Sequence, residues 1–283
     1  MHRHHDDEVH EHDRGLSYDL PVLARRRMIR LMAGASLVPL VGCSTNEDTS
    51  ASATSSSTSS SSAASSGSSS SSAECAEIPE ETAGPYPGDG SNGVNVLKES
   101  GVVRSDITTS FGDSAGGTAE GVPMTITLTV VDAASGCGTP KEGAAVYLWH
   151  CDREGRYSLY SEGVTEENYL RGVQETDDKG QVTFTSIFPA CYQGRWPHIH
   201  FEVYGSLADA TAATSITNTS QLALPKDVCD TVYATDGYDQ SVQNLGQLSL
   251  ETDNIFSDGY DQQLATVTGS VEQGYTATLT VPV

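Results

Sequence analysis

Residues 124–131 read MTITLTVV, with a threonine at every second place between apolar neighbours. A period of two suits a strand that sets one face against a core and the other toward water, and a helix cannot use it. Residues 145–150 (AVYLWH), 181–187 (QVTFTSI), 199–204 (IHFEVY) and 275–281 (YTATLTV) are of the same kind: short and rich in Val, Ile, Thr and aromatic side chains. Turn signals separate them, among them 152–155 and 177–180 (DDKG). One short helix is expected over 225–233, since Pro225 suits a first helical turn. Strands that do not alternate with helices predict an all-β fold, an antiparallel β-sandwich with long loops and at most one or two short helices.

The segments before this pattern have other uses. Ala24-Arg25-Arg26-Arg27-Met28-Ile29-Arg30 carries the paired arginines and apolar pair of a twin-arginine export signal. The 12 apolar residues 31–42 that follow are too few to span a bilayer as a helix. Leu40-Val41-Gly42-Cys43 has the form of a bacterial lipobox, which places cleavage before Cys43 and a lipid on it. Of the 30 residues from 44 to 73, 17 are serine and none is aromatic or long aliphatic. Such a stretch cannot bury enough apolar surface to offset its ordering entropy. The expected organisation is a signal over 1–43, a disordered tether over 44–74 and a globular domain over 75–283. The chain is then exported, extracellular or cell-surface, and touches a membrane only through the lipid on Cys43.

Charge narrows the function. The chain has 15 Lys and Arg against 38 Asp and Glu, a net −23. Six of each sign fall in residues 1–42, so the remaining 9 and 32 carry the whole imbalance. A domain this acidic repels phosphate backbones, which excludes nucleic acid as a partner.

Five of the eight histidines (His2, His4, His5, His10, His12) precede the export signal, leaving His150, His198 and His200. In Pro197-His198-Ile199-His200 a spacing of two puts both imidazoles on one face of a strand, a few ångströms apart. That arrangement favours a metal over two half-exposed strand histidines. Recruiting His150 would complete a zinc site. Tyr157 and Tyr192 are the other candidates, and two phenolates, being hard anionic donors, favour Fe(III).

These pieces fall in an order. Trp149-His150-Cys151-Asp152, Gly155-Arg156-Tyr157, Leu170-Arg171-Gly172, Thr176-Asp177, Pro189-Ala190-Cys191-Tyr192 and Gly194-Arg195-Trp196-Pro197-His198-Ile199-His200 resemble the intradiol ring-cleavage dioxygenases. That family includes the protocatechuate 3,4-dioxygenases and catechol 1,2-dioxygenases. Upstream, Gly84-Pro85-Tyr86 and Arg104-Ser105-Asp106-Ile107 continue the likeness, which runs from about Thr82 to Gln221. The resemblance implies a β-sandwich holding one non-haem Fe(III) per chain through Tyr157, Tyr192, His198 and His200. It implies a catechol-type substrate, O₂ as co-substrate and ring opening between the two hydroxylated carbons to a cis,cis-muconate type product. Arg195 would lie beside the substrate ring and Gln221 near the iron pocket, while His150 and Arg171 would be structural. Tyr160, Tyr169 and Tyr204 are decoys.

Five cysteines follow Cys43, an odd number, so at most two disulfides form. Cys151 and Cys191 flank the segments bearing Tyr157 and Tyr192, and a bridge between them would brace the site. Beyond Gln221 no family motif is recognisable, including around Gly237-Tyr238-Asp239-Gln240. Two other readings stand beside the dioxygenase: a non-catalytic surface-displayed β-sandwich binding module, and a zinc hydrolase using His150, His198 and His200.

Overall fold

In a computed structural model of the chain, the alternation of 124–131 becomes β1 (Pro123–Val131), which turns Met124, Ile126, Leu128 and Val130 inward and its threonines outward. The structure describes residues 75–283; the expected signal and tether lie outside these residues. β8 (Gly274–Pro282) runs parallel to β1 and buries Tyr275, Ala277, Leu279 and Val281. With β4 (Gln181–Ile187) and β7 (Thr266–Ser270) they form a sheet of order β4-β1-β8-β7. Register sets Thr185, Thr125, Thr276 and Thr268 in one row and Thr183, Thr127, Thr278 and Thr266 in the next. That is the water-facing side. The parallel pair of β1 with β8 joins strands far apart in the chain, so no hairpin dictates its direction.

The second sheet has the order β3-β2-β5-β6, from β3 (Arg171–Glu175), β2 (Ala145–Trp149), β5 (His198–Tyr204) and β6 (Ile216–Ala223). Every residue of β2 and β5 is buried. Val146, Leu148, Ile199, Phe201 and Val203 face the first sheet and form the main core with it. On the opposite face Tyr147, Trp149 and Tyr204 pack beneath a covering segment that contributes Tyr86, Val96, Leu97 and Val102. A second cover explains why these strands lack a solvated side, and it places His198 and His200 between sheet and cover.

Among the described residues α-helix is confined to three short pieces, α1 (Leu207–Ala212), α2 (Lys226–Tyr233) and α3 (Asp239–Leu245). α2 is the expected one, with Pro225 at its N-cap. α1 and α3 take the number past two. Each has two turns or fewer, too little for a 3.6-residue period to register. The sequence also conceals β3, β6 and β7, since ITNTSQLA in β6 and RGVQE in β3 are polar for buried strands. Among the described residues no helix is long and apolar enough to cross a membrane.

The expected Cys151–Cys191 bridge is absent. The disulfide joins Cys75 to Cys137, and Cys151, Cys191 and Cys229 are buried thiols. Cys151 Sγ faces the carbonyl oxygen of Ala190 at 3.7 Å, and Cys191 Sγ that of Arg195 at 3.5 Å. Burial raises both thiols, Cys191 to about 12, so they stay protonated and behave as small apolar side chains. Backbone bonds do the bracing instead: Ala190 N–H donates to the Asp152 carbonyl at 3.2 Å. Replacing Cys137→Ser is expected to lower stability by about 3 kcal/mol in urea titrations. Alkylation should reach Cys151, Cys191 and Cys229 only once the domain is unfolded.

Candidate metal centre

Two strand histidines, one loop before β3 and one loop before β5 supply the site. His198 and His200 share the covered face of β5, their ring centroids 4.7 Å apart. The His198 Nδ1 lies 2.5 Å from the Trp196 carbonyl oxygen, which can only accept, so Nδ1 carries the proton and Nε2 presents a bare lone pair. His200 pairs across the sheet with Trp149 and stacks on its indole, 4.9 Å between centroids and 6° between planes. Stacking sets this ring, since its Nδ1 has no hydrogen-bond partner.

Tyr157 is delivered by a turn built on Asp152. That buried carboxylate accepts from the backbone N–H of Glu154 (3.0 Å) and Arg156 (2.9 Å), from Arg156 Nε (2.9 Å) and from the Tyr169 hydroxyl (3.2 Å). Tyr157 N–H then donates to Ser161 Oγ at 2.9 Å. Tyr192 sits on the loop after β4, held where Cys191 N–H donates to Ser241 Oγ and Asn244 Nδ2 to the Cys191 carbonyl. A cleft of about 260 Å³ opens beside Tyr192, lined in part by Gly155, Arg156, Gln193 and Ser241.

The four side chains converge. Tyr192 Oη is 3.3 Å from His198 Nε2, and the two histidine Nε2 atoms are 3.1 Å apart. The Tyr157 ring stands 5.9 Å from that of Tyr192 and 6.2 Å from that of His200, edge-on to both. Donors bound side by side to one ion at ~2.1 Å lie about 3 Å from each other, which the Tyr192–His198 and His198–His200 spacings match. The Tyr157 hydroxyl is buried without a hydrogen-bond partner, whereas the decoys are all engaged. Tyr160 donates to Asn92 Oδ1, Tyr169 to Asp152 and Tyr204 to Glu202.

Electrostatics point the same way. Burial first, then the neighbouring Tyr192, hold Tyr157 well above its usual range. Burial and Arg195 press His198 well down; burial, His198 and Arg195 do the same to His200. Without a cation Tyr157 and the two imidazoles are therefore neutral; with one, the cluster offers two imidazoles and two phenolic oxygens. Among the described residues no group of three or more His, Cys, Asp or Glu gathers as a metal site; the donors that stand beside the imidazole pair here are phenolic oxygens.

His150 stands apart. Its Nδ1 lies 2.7 Å from the Cys151 carbonyl oxygen and its Nε2 2.7 Å from Ser186 Oγ, so both nitrogens are occupied and the zinc triad has no third imidazole. Arg195 and Gln221 do belong to the cluster. Gln221 faces His200 in the β5–β6 register, and Arg195 Nη2 donates to Gln221 Oε1 at 2.7 Å. Sequence reasoning missed Asp152, Asp253, Ser241 and Asn244. Only Asp152, inside the WHCD piece, gave a signal.

A family model described as dioxygenase matches residues 102–249. A chlorocatechol 1,2-dioxygenase of Rhodococcus opacus is 36% identical over 56 residues, 20% of this chain, and the chain spans only 22% of that relative's length. An intradiol ring-cleavage dioxygenase from Tetranychus urticae has the same fold, with a TM-score of 0.52 at 24% identity over 65% of this chain and 87% of that one.

Burial lowers the His150 pKa from 6.5 to about 4. The unfolded chain binds a proton there as pH falls below 6.5 while the folded one does not, so stability present above 6.5 is lost toward pH 4. The loss from this residue is about 3 kcal/mol. Urea titrations at pH 7 and pH 4 should show His150→Gln losing that much less than the unaltered protein.

Proposed function

Because this chain belongs to the intradiol ring-cleavage dioxygenase family, we propose that it uses a ferric ion and O₂ to open catecholic rings between their two hydroxylated carbons. The family uses non-haem iron. Here Tyr157, Tyr192, His198 and His200 would hold one Fe(III). The observation that carries this reading is the buried, unpartnered Tyr157 hydroxyl beside three further donors. A trivalent cation is what makes a phenolate affordable at a position where burial favours the neutral phenol.

When bound, the ion supplies Lewis acidity that ionises a chelating catechol and makes its ring reactive toward O₂. The protein does the rest. Tyr192, half-buried beside the cleft, takes up a proton from a catechol hydroxyl at its Oη. Tyr157 and the stacked His200 stay fixed, locked by Ser161 and Trp149. The Arg195 guanidinium stabilises negative charge on the ring as oxygen adds, and Gln221 fixes its orientation. The product is a cis,cis-muconate type diacid.

We also propose that the domain is exported and displayed at the cell surface on a lipid at Cys43. A binding module without iron and a zinc hydrolase both explain less, since neither needs Tyr157 unpartnered. The test is metal analysis and a visible spectrum of the purified chain. One iron per chain and a broad tyrosinate charge-transfer band, shifted by added catechol, are expected. Tyr157→Phe and His198→Ala should lose the iron or the band, while His150→Ala keeps both. A colourless protein that takes up no iron overturns the reading.

A further inference from the structure

Two lines of aromatic rings leave the cluster and end on the same tyrosine. From Tyr157 they run to Tyr86, 5.0 Å between centroids, and on to Tyr160 at 5.2 Å. From His200 they run to Trp149 at 4.9 Å and then to Tyr147 at a further 4.9 Å, stacked at both steps. The Arg171 guanidinium joins Tyr147 to Tyr160: its Nη1 donates to the Tyr147 hydroxyl at 3.0 Å, and its central carbon stands 5.5 Å from the Tyr160 ring centroid. Tyr157, Tyr86, Tyr147 and Trp149 are buried, whereas Tyr160 is half-buried and donates to Oδ1 of the exposed Asn92.

Tyrosine and tryptophan give up an electron readily; phenylalanine does not. Exchange between rings in contact is fast and falls off steeply with distance. An oxidising equivalent that arises at Tyr157 or beside His200 therefore travels outward along these rings. On the core side Phe188 stands between Tyr233 and Tyr275 and breaks the succession. The groups at risk are close by. Cys151 packs in the same apolar cluster as Tyr157, and Cys191 directly precedes Tyr192. A thiol that loses a hydrogen atom to a tyrosyl radical enters a series of oxidations that ends irreversibly.

We propose that Tyr160 is the surface outlet of this path, through which the protein passes oxidising equivalents from the metal centre to phenols in solution, a peroxidase-like activity beside ring opening. The inference rests on the ferric reading above. Hydrogen peroxide at the centre takes two electrons and two protons and becomes two waters. Each electron comes from Tyr160 by way of Tyr86 and Tyr157, or through Tyr147 and Trp149, while the Tyr160 hydroxyl proton goes to solvent. Each Tyr160 radical then takes a hydrogen atom from a phenol outside. In sum, one peroxide and two phenols give two waters and two phenoxyl radicals.

The test adds hydrogen peroxide to the iron-loaded full chain with the spin trap 2-methyl-2-nitrosopropane and maps the adduct by peptide mass spectrometry. The adduct is expected on Tyr160 in preference to Tyr260, another half-buried tyrosine that lies off the path, with Cys151 and Cys191 intact. Tyr160→Phe should lose that adduct and gain oxidised Cys151 or Cys191, while iron content and the charge-transfer band stay unchanged. Equal labelling of Tyr160 and Tyr260, or thiols oxidised to the same extent with and without the Tyr160 hydroxyl, overturns the proposal and leaves the ferric reading standing. Should Tyr160→Phe not fold, the comparison of Tyr160 with Tyr260 in the unaltered chain decides. A chain that takes up no iron overturns both.

Discussion

An almost wholly buried guanidinium holds the covered face together. Arg171 on β3 is 1% exposed and donates to the carbonyls of Tyr86 and Pro87, to the Tyr147 hydroxyl, and to both the carbonyl and hydroxyl of Ser158. Those partners lie in the covering segment, in β2 and next to Tyr157. One side chain thus fastens the lid to the sheet and the tyrosine loop to both. Such a charge is costly to bury, and only full use of its planar set of donors offsets the cost. Gly88 is required here: its φ is +68°, and a Cβ would stand 2.9 Å from Arg171 Nη1. Removing the guanidinium would leave several buried carbonyls without donors, a larger loss than the bonds alone.

From that anchor the asymmetry of the sandwich follows. One sheet shows water its rows of threonine, as its alternating pattern announces. The other is buried on both faces, and its outer side can hold imidazoles and phenols because a loop, not solvent, lies over them. Gly84 lets the cover turn beside His200, since its φ is +71°, a conformation that favours glycine. Low polarity under that cover keeps the histidines neutral, the form in which they bind metal.

The legible parts of the sequence were those whose meaning is local. Alternation marked β1, β4 and β8, and a spacing of two put His198 and His200 on one face. Tyr157 and Tyr192 stood out through their order relative to the histidine pair, which is information from a family likeness and not from residue type. What stayed hidden depends on long-range contacts. Asp253 lies 58 residues from Arg195, and nothing near it in the chain marks it as a partner. Ser241 and Asn244 are ordinary helix residues until α3 docks on the Tyr192 loop. The thiols misled for a related reason: nearness in sequence to the site says nothing of which sulfur atoms meet.

The bridge from Cys75 to Cys137 has a mechanical meaning. It closes a loop of sequence separation 62 that contains the whole covering segment and β1. Tension applied to the chain ahead of Cys75 therefore passes through sulfur directly to residue 137, bypassing everything between. Nearby, Ile78 N–H donates to the Pro282 carbonyl and Gln262 Nε2 to that of Ala76, so the segment after Cys75 is also knitted to β8 and to the loop before β7. A domain pulled or buffeted from its leading end would carry the load on a covalent bond while the lid over the four rings stays slack.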